Sequence, residues 1–263
     1  MAEFHSSSDP LPQPPRGYGR GFKRNKPQRS GFAGFSGNRF PRSDWKELMH
    51  LQEVNQSSPW HHWTNAGCKV KNQKSTSLCW SFGSTGATEA RHAQAMGWSP
   101  VLSAASVAGP INGYNPDKGG WGEYHFDFVK KHGQATVDTW PERSMNKALW
   151  NDPAVKSDRF QHFVPCFEEF AWKDLDALVS ALLDPIDPTP CTVGFDYWGH
   201  LIWAGRATFT DNQITLWCIN SWGSSWNGNG QIKLVGEDRC RAAEAIRICG
   251  VMPRSKPLTG ETK

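Results

Sequence analysis

Apolar residues recur at helical spacing in several stretches of the first two thirds of the chain, and at strand spacing beyond them. After Cys79, the positions Phe82, Ala87, Ala90 and Ala93 predict a helix that begins at or beside the cysteine, with Ser75, Thr76 and Ser77 near its start. GEYHFDFVKKH predicts a second helix, stopped by Gly133. KDLDALVSALLD predicts a third, with Leu175, Leu178, Val179 and Leu182 on one face and Pro185 at its end. A shorter helical piece, SDWKELMHLQEV, carries Ser43 or Asp44 as its cap. PCTVGFD, HLIWAGRATF, ITLWCINS, GQIKLV and AIRICGV then read as short strands, rich in Val, Ile, Thr and Trp and separated by Gly, Asp and Asn. Helices first and strands later predict an α+β chain of two lobes with a cleft between them.

Residues 1–42 lack this periodicity. They are rich in Pro, Gly, Ser and Arg with scattered aromatics, as in RGYGRGF and RSGFAGFSGNRF, and read as a disordered tail. Eight Lys and Arg stand there against Glu3 and Asp9, a larger surplus than the +4 of the whole chain, so the basic balance belongs to the tail. Arg and aromatics interleaved with Gly suit single-stranded nucleic acid, or a protein partner; a solvated tail or a removable leader is the plainer alternative. The expected division is this tail, a linker or short helix over 43–59, a folded unit over 60–253 and a C-terminal tail over 254–263. No run of about 20 apolar residues predicts a membrane span. The first 30 residues have no signal-peptide core, so an intracellular setting is expected, with packaging into a viral particle as an alternative. The seven cysteines, an odd number, include no Cys-x-x-Cys pair and no zinc-type spacing, and no metal or cofactor is expected.

Chemistry gathers around three separated residues. A thiol at a helix start gains from the helix dipole and from unpaired N–H groups, which favour the thiolate. By itself, a cysteine there reads equally as a small buried hydrophobe. Downstream, His200 heads the apolar run of YWGHLIWAG and Asn220 follows a strand in INSWGSSWNGNGQIKL. An imidazole that trades a proton with sulfur needs its other nitrogen held, and an Asn oxygen does this.

VKNQKSTSLCWSFG and NSWGSSWNGNGQIKL, with LS and GGW between them, resemble the corresponding blocks of the papain-like cysteine peptidases, the papain and cathepsin family. The likeness runs from about residue 60 to 253. It implies the two-lobed papain fold, a helical lobe against a β-barrel-like antiparallel lobe, and a catalytic domain over 60–253. It also implies Cys79 as nucleophile, His200 as general base and acid, and Asn220 as the residue that orients the imidazole. Gln73 and the Cys79 N–H match the oxyanion hole. Gly119 and Gly120 match backbone open to an extended substrate, Trp121 a pocket wall, and Trp222 a shield over the His200–Asn220 bond; simple packing is the alternative for each. DRCRAAEAIRICGVMP places Glu244 or Ala245 near the floor of the main specificity pocket.

The chain departs from that pattern in three places. Thr76 stands where the family carries a bridging cysteine, which suits a reducing compartment. Only FDYWG separates Val193 from His200, which implies a trimmed loop and an open cleft on the leaving-group side. The upstream residues do not resemble an inhibitory helical propeptide. The function expected is a cysteine endopeptidase acting on polypeptides through an acyl-enzyme. A papain-like scaffold kept for binding or assembly, or another thiol amidase or acyl transferase, is the alternative.

Overall fold

The computed structural model of the chain describes residues 4–5, 9–23, 25 and 34–252. The helical side comprises α2 (Pro59–Asn65), α3 (Cys79–Met96), α4 (Ala105–Asn112), α5 (Gly122–His132) and α6 (Pro153–Arg159), with α1 (Trp45–Asn55) and α7 (Leu175–Leu183) laid on the sheet side. The strands are β1 (Phe4–His5), β2 (Cys166–Glu169), β3 (Cys191–Phe195), β4 (His200–Thr210), β5 (Gln213–Ile219), β6 (Gln231–Val235) and β7 (Glu244–Gly250). They form one sheet in the order β1-β6-β5-β4-β3-β7-β2, antiparallel except for the β1–β6 pair. The sheet is open, with β1 and β2 at its edges, so the barrel-like closure expected of this lobe is absent. A two-residue β1 and a four-residue β2 offer too little ladder to join edge to edge.

The predicted helices form where periodicity placed them. Gly133 ends α5, and the Asp174 carboxylate caps α7 by accepting from the Ala177 N–H. Leu175, Leu178, Val179 and Leu182 of α7 are buried in a core with Val193, Phe195, Ile202 and Leu216 of the sheet. The stretch expected as a linker or short helix over 43–59 holds α1, whose Trp45 and Met49 join the same core.

Helix α3 is the seam between the two sides, packed along β4 and buried nearly end to end. Two glycines allow it. A Cβ on Gly83 would lie 2.6 Å from Leu201 Cδ2, and one on Gly86 2.7 Å from Trp203 Nε1. Glycine inside a helix costs about 1 kcal/mol relative to Ala; the burial of Leu201 and Trp203 against the helix offsets it. A buried ion pair braces the other end of the seam. Lys71 Nζ reaches Glu89 on α3 at 2.8 Å, Glu142 at 3.0 Å and the Leu102 carbonyl at 2.8 Å. Burial opposes the ammonium charge, yet the two carboxylates hold Lys71 above the usual lysine value.

The segment expected to be disordered through residue 42 is ordered wherever it is described. Arg39 pairs with Asp174, Arg42 with Asp176 and Glu237, and Phe35 packs edge-on to Phe170. Residues 16–23 cross the cleft, as set out below. Residues 1–3, 6–8, 24 and 26–33 and the 254–263 tail lie outside the described residues.

Gly83→Leu introduces a better helix former at a position with no room for it. It is expected to lower stability by about 1–3 kcal/mol, read as a fall in the thermal unfolding midpoint. An unchanged or raised midpoint would contradict the close seam.

Candidate active site

The seam sets the site. Cys79 is the first residue of α3 and His200 the first of β4, and the Leu201 N–H bears on the Cys79 thiol. A tight hairpin from β3 fixes the histidine. Phe195 pairs with His200, the Trp198 and Gly199 N–H groups donate to the Phe195 carbonyl, and Gly199 takes a left-handed φ of 63°. This is the short connection that FDYWG implied.

His200 Nε2 lies 2.7 Å from Asn220 Oδ1, whose oxygen also accepts from the Ser221 N–H. With Asn220 as acceptor, Nε2 carries the proton. Nδ1, which has no hydrogen-bond partner among the described residues, is left as the nitrogen for exchange with sulfur. Trp222 stacks on the imidazole at 4.4 Å between ring centroids, and Trp198 meets it edge-on at 4.9 Å. Two indoles therefore flank the imidazole where a shield over the His200–Asn220 bond was expected, and Trp222 is fully buried.

Gln73 is fully buried as well. Its N–H donates to the Ser221 carbonyl at 2.8 Å, and its Oε1 accepts from the Ser221 hydroxyl, which turns Nε2 toward the cleft. Asn72 forms a bridge with Trp222, so the loop carrying Gln73 and the loop carrying Asn220 are one hydrogen-bonded unit. The Cys79 N–H belongs to the first turn of α3, whose donors have no partner within the helix.

A strap of the chain's own N-terminal region fills the space in front of these groups. Gln73 Nε2 donates to the Gly19 carbonyl at 3.0 Å and to the Thr76 carbonyl at 2.8 Å. Trp222 Nε1 donates to the same Gly19 carbonyl at 3.2 Å. The Gly21 N–H donates to Cys79 Sγ at 3.1 Å. Phe22 forms a parallel bridge with Gly120: the Gly120 N–H donates to the Gly21 carbonyl at 2.9 Å, and the Lys23 N–H to the Gly120 carbonyl at 3.2 Å. Trp121 Nε1 donates to the Lys23 carbonyl at 2.7 Å. Gly119, Gly120 and Trp121 thus line a track for extended backbone. A Cβ on Gly119 would strike the Gly21 carbonyl, and one on Gly21 would strike the Ser77 backbone.

Phe22 is buried in a cluster with Leu201 and Ala243, its ring against Gly194. Glu244 does not supply an open pocket floor. Its carboxylate accepts from the Gly122 and Glu123 N–H groups and so caps α5, which leaves the Phe22 site apolar. Ala245 packs in the other core, and Ala243 is the residue beside Phe22. The Glu244 oxygens also lie within 4.8 Å of carboxylate oxygens of Glu123 and Glu169, a group of metal-ligand type.

Burial sets the electrostatics of the pair. A helix start favours a thiolate by at most about 2 kcal/mol, whereas full desolvation moves a pKa by as much as 3–5 units. Burial wins: it pushes the Cys79 thiol up to about 11 despite N–H groups from Leu201, Gly21, Phe22 and Trp80. Burial also holds His200 down at about 3, against the bond to Asn220 and assisted by the Arg20 guanidinium of the strap. The pair is therefore an uncharged thiol and an uncharged imidazole.

The sequence pointed to Cys79, His200, Asn220, Gln73, Gly119, Gly120, Trp121 and Trp222, and the structure brings all of them to this cleft. It gave no hint of Gly19, Gly21, Phe22 or Ser221. The available signal was the alternate glycines of RGYGRGF, a spacing that lets an extended backbone approach a surface closely.

The chain matches the family described as "Papain family cysteine protease" over residues 54–200. It is 28% identical over 198 residues to cathepsin L 1 of Paramecium tetraurelia, covering 69% of this chain and 60% of that protein. It is 29% identical over 207 residues to the P34 probable thiol protease of Glycine max, covering 70% and 53%. The chain thus spans about half to three fifths of the length of these relatives. Among solved structures, the digestive procathepsin L 3 of Tenebrio molitor superposes with a TM-score of 0.64 at 18% identity, over 88% of this chain and 75% of that one. The bromelain protease of Ananas comosus, in complex with the E64 inhibitor, superposes at 0.56 and 19% identity, over 71% and 95%.

Because only the thiolate alkylates, iodoacetamide labelling of Cys79 in the intact chain is expected to be slow at pH 7 and to climb toward pH 11. Gly21→Val, which cannot thread past Ser77, is expected to raise the rate at pH 7 at least tenfold. Equal rates in the two proteins would contradict the strap's effect on the thiol.

Proposed function

The chain belongs to the papain family of cysteine proteases, and from that premise we propose that it is a cysteine endopeptidase that folds in a latent state. The observation that carries the reading is the juxtaposition of a thiol at a helix start, an Asn-held imidazole and a buried Gln amide on one cleft. Once residues 19–23 leave, an extended polypeptide takes their track along Gly119 and Gly120. His200 Nδ1 accepts the Cys79 proton and sulfur attacks the carbonyl carbon. The oxygen that becomes negative is held by Gln73 Nε2, now occupied by the Gly19 carbonyl, and by the Cys79 N–H. His200 then gives its proton to the leaving amine, and water, deprotonated by the same nitrogen, releases the acyl group. Asn220 keeps the ring turned through both halves, and the two indoles keep water from competing for its bond. The site holding Phe22 suits a large apolar or aromatic side chain on the substrate.

The strap is an occupant and not a substrate. The carbonyl on the Gln73 amide belongs to residue 19, whereas the group on sulfur is the N–H of residue 21. Attack needs one carbonyl to offer its oxygen to the amide and its carbon to the sulfur, whereas here the groups on the amide and on the sulfur come from different residues. The same contacts commit Phe22 to the cleft, so stacking of Phe22 on nucleic acid requires the strap to leave first. The seven unpaired cysteines are consistent with work in a reducing intracellular setting.

The test uses Gly21→Val, a fluorogenic peptide with Phe two residues before the scissile bond, and an epoxide thiol inhibitor. Hydrolysis is expected in Gly21→Val and not in the Gly21→Val/Cys79→Ala double variant, with the inhibitor on Cys79 ahead of the other six cysteines. Adding Gln73→Ala is expected to cost about 10²- to 10³-fold in kcat. Activity that survives loss of Cys79 would overturn the nucleophile assignment, and no turnover in any variant would favour a binding scaffold.

A further inference from the structure

The sheet carries a second thiol site away from the cleft. Edge strand β2 pairs with β7 in a register that skips one residue: Cys166 is opposite Gly250 and Phe167 opposite Ile248, so Cys249 is the extra residue of a bulge. At such a bulge two residues of one strand oppose a single residue of the other. Cys249 and Gly250 therefore face Cys166 together. Gly250 adds no side chain, and a Cβ there would meet nothing within 4 Å, so open space adjoins the two thiols. Gly250 holds the place directly opposite Cys166, where Cα atoms lie about 4.5–5.5 Å apart; Cys249 is its chain neighbour, close enough for its thiol to interact with that of Cys166, and a disulfide tolerates Cα separations of roughly 4.4–6.8 Å.

Other observations bear on the same point. Both cysteines are unpaired, Cys166 exposed and Cys249 half-buried. The two thiols interact directly: burial first, then the Cys166 thiol, pushes Cys249 up to about 12. The strand around Cys249 is held from behind, because Arg91 on α3 donates to its carbonyl at 2.8 Å while pairing with Asp187. A thiol on a fixed strand beside an exposed one has little conformational freedom to lose on bonding to it.

We propose that Cys166 and Cys249 are a dithiol pair that closes to a disulfide when the protein meets a low-molecular-weight disulfide oxidant. Cys166, the accessible partner, attacks the oxidant as its thiolate and displaces one thiol. Cys249 then gives up its proton and attacks the Cys166 sulfur, displacing the second thiol. One S–S bond breaks and one forms, two electrons pass from the protein to the oxidant, and the two thiol protons end on the released small thiols. The bond ties the edge strand to β7, whose opposite end carries the Glu244 cap of α5 and adjoins Ala243 beside Phe22. Closing so long a loop restricts the unfolded chain, so oxidation stabilises the fold without using Cys79. Neither step depends on the peptidase reading.

The experiment equilibrates the reduced full-length protein with glutathione and glutathione disulfide, then maps peptides without reduction and records thermal unfolding. The expected result is a peptide carrying Cys166 linked to Cys249, a fall of two in the free-thiol count from the seven present, and a midpoint several degrees higher. Cys166→Ser is expected to unfold at the midpoint of the reduced wild type, and to lose both the link and the rise. Cys249→Ser is expected to stop at a glutathione adduct on Cys166. Glutathione accumulating on Cys166 of the wild type without the link, or a midpoint rise that persists in Cys166→Ser, would overturn the proposal.

Discussion

Everything at the cleft depends on how closely α3 approaches β4. Gly83 and Gly86 let the helix lie against Leu201 and Trp203, and that contact brings the first residue of the helix beside the first residues of the strand. Cys79 and His200 lie 121 positions apart in sequence and share no local structure. Helix packing alone joins them. The buried Lys71–Glu89 pair extends the seam to the loop that ends in Gln73, so the Gln73 amide is referenced to the same helix as the Cys79 thiol. The proposed reaction, which needs sulfur, imidazole and amide in register to a fraction of an ångström, would thus be hung on one rigid element.

The strap uses this geometry against the reaction. It offers an N–H to the Cys79 sulfur and a carbonyl to the Gln73 amide, so two groups of the proposed mechanism are already partnered by the strap. Burial makes both charged forms costly at this site, and Arg20 of the strap adds a positive charge near the imidazole. Occupation and electrostatics act in the same direction. Little of the hold comes from burial, since Phe22 is the strap's one deeply buried hydrophobic side chain among the described residues. The remainder is backbone hydrogen bonding, each bond worth about 1 kcal/mol net. A competing polypeptide can supply the same bonds, which makes the occlusion reversible in principle.

Much of this was legible in the sequence because it rests on side-chain pattern. The faces of α3, α5 and α7, and the five strands from Cys191 to Gly250, follow from apolar spacing. Gln73 and Cys79 lie in one long block and Asn220 in another, with His200 between them, and that residue order carries the chemistry. The strap was not legible, because a Gly- and Arg-rich segment has no apolar period and is held by backbone groups that every sequence possesses. The open sheet escaped for a related reason: CFEE is too short to show alternation, and its pairing with β7 is decided by the strand it meets. The pocket floor was misjudged between Glu244 and Ala245 because a one-residue change of register exchanges the faces of a strand. Ala243 emerges beside Phe22 only once β7 is paired with β3.

The most direct measurement of the central claim is the protonation state of His200 by ¹⁵N NMR of the imidazole in the intact chain at pH 5. A ring buried under the strap beside Arg20, held near 3, is expected to be neutral there and protonated on Nε2, with a cationic ring appearing when Gly21→Val displaces the strap. A cationic His200 at pH 5 in the intact chain would contradict an uncharged, strap-suppressed thiol–imidazole pair.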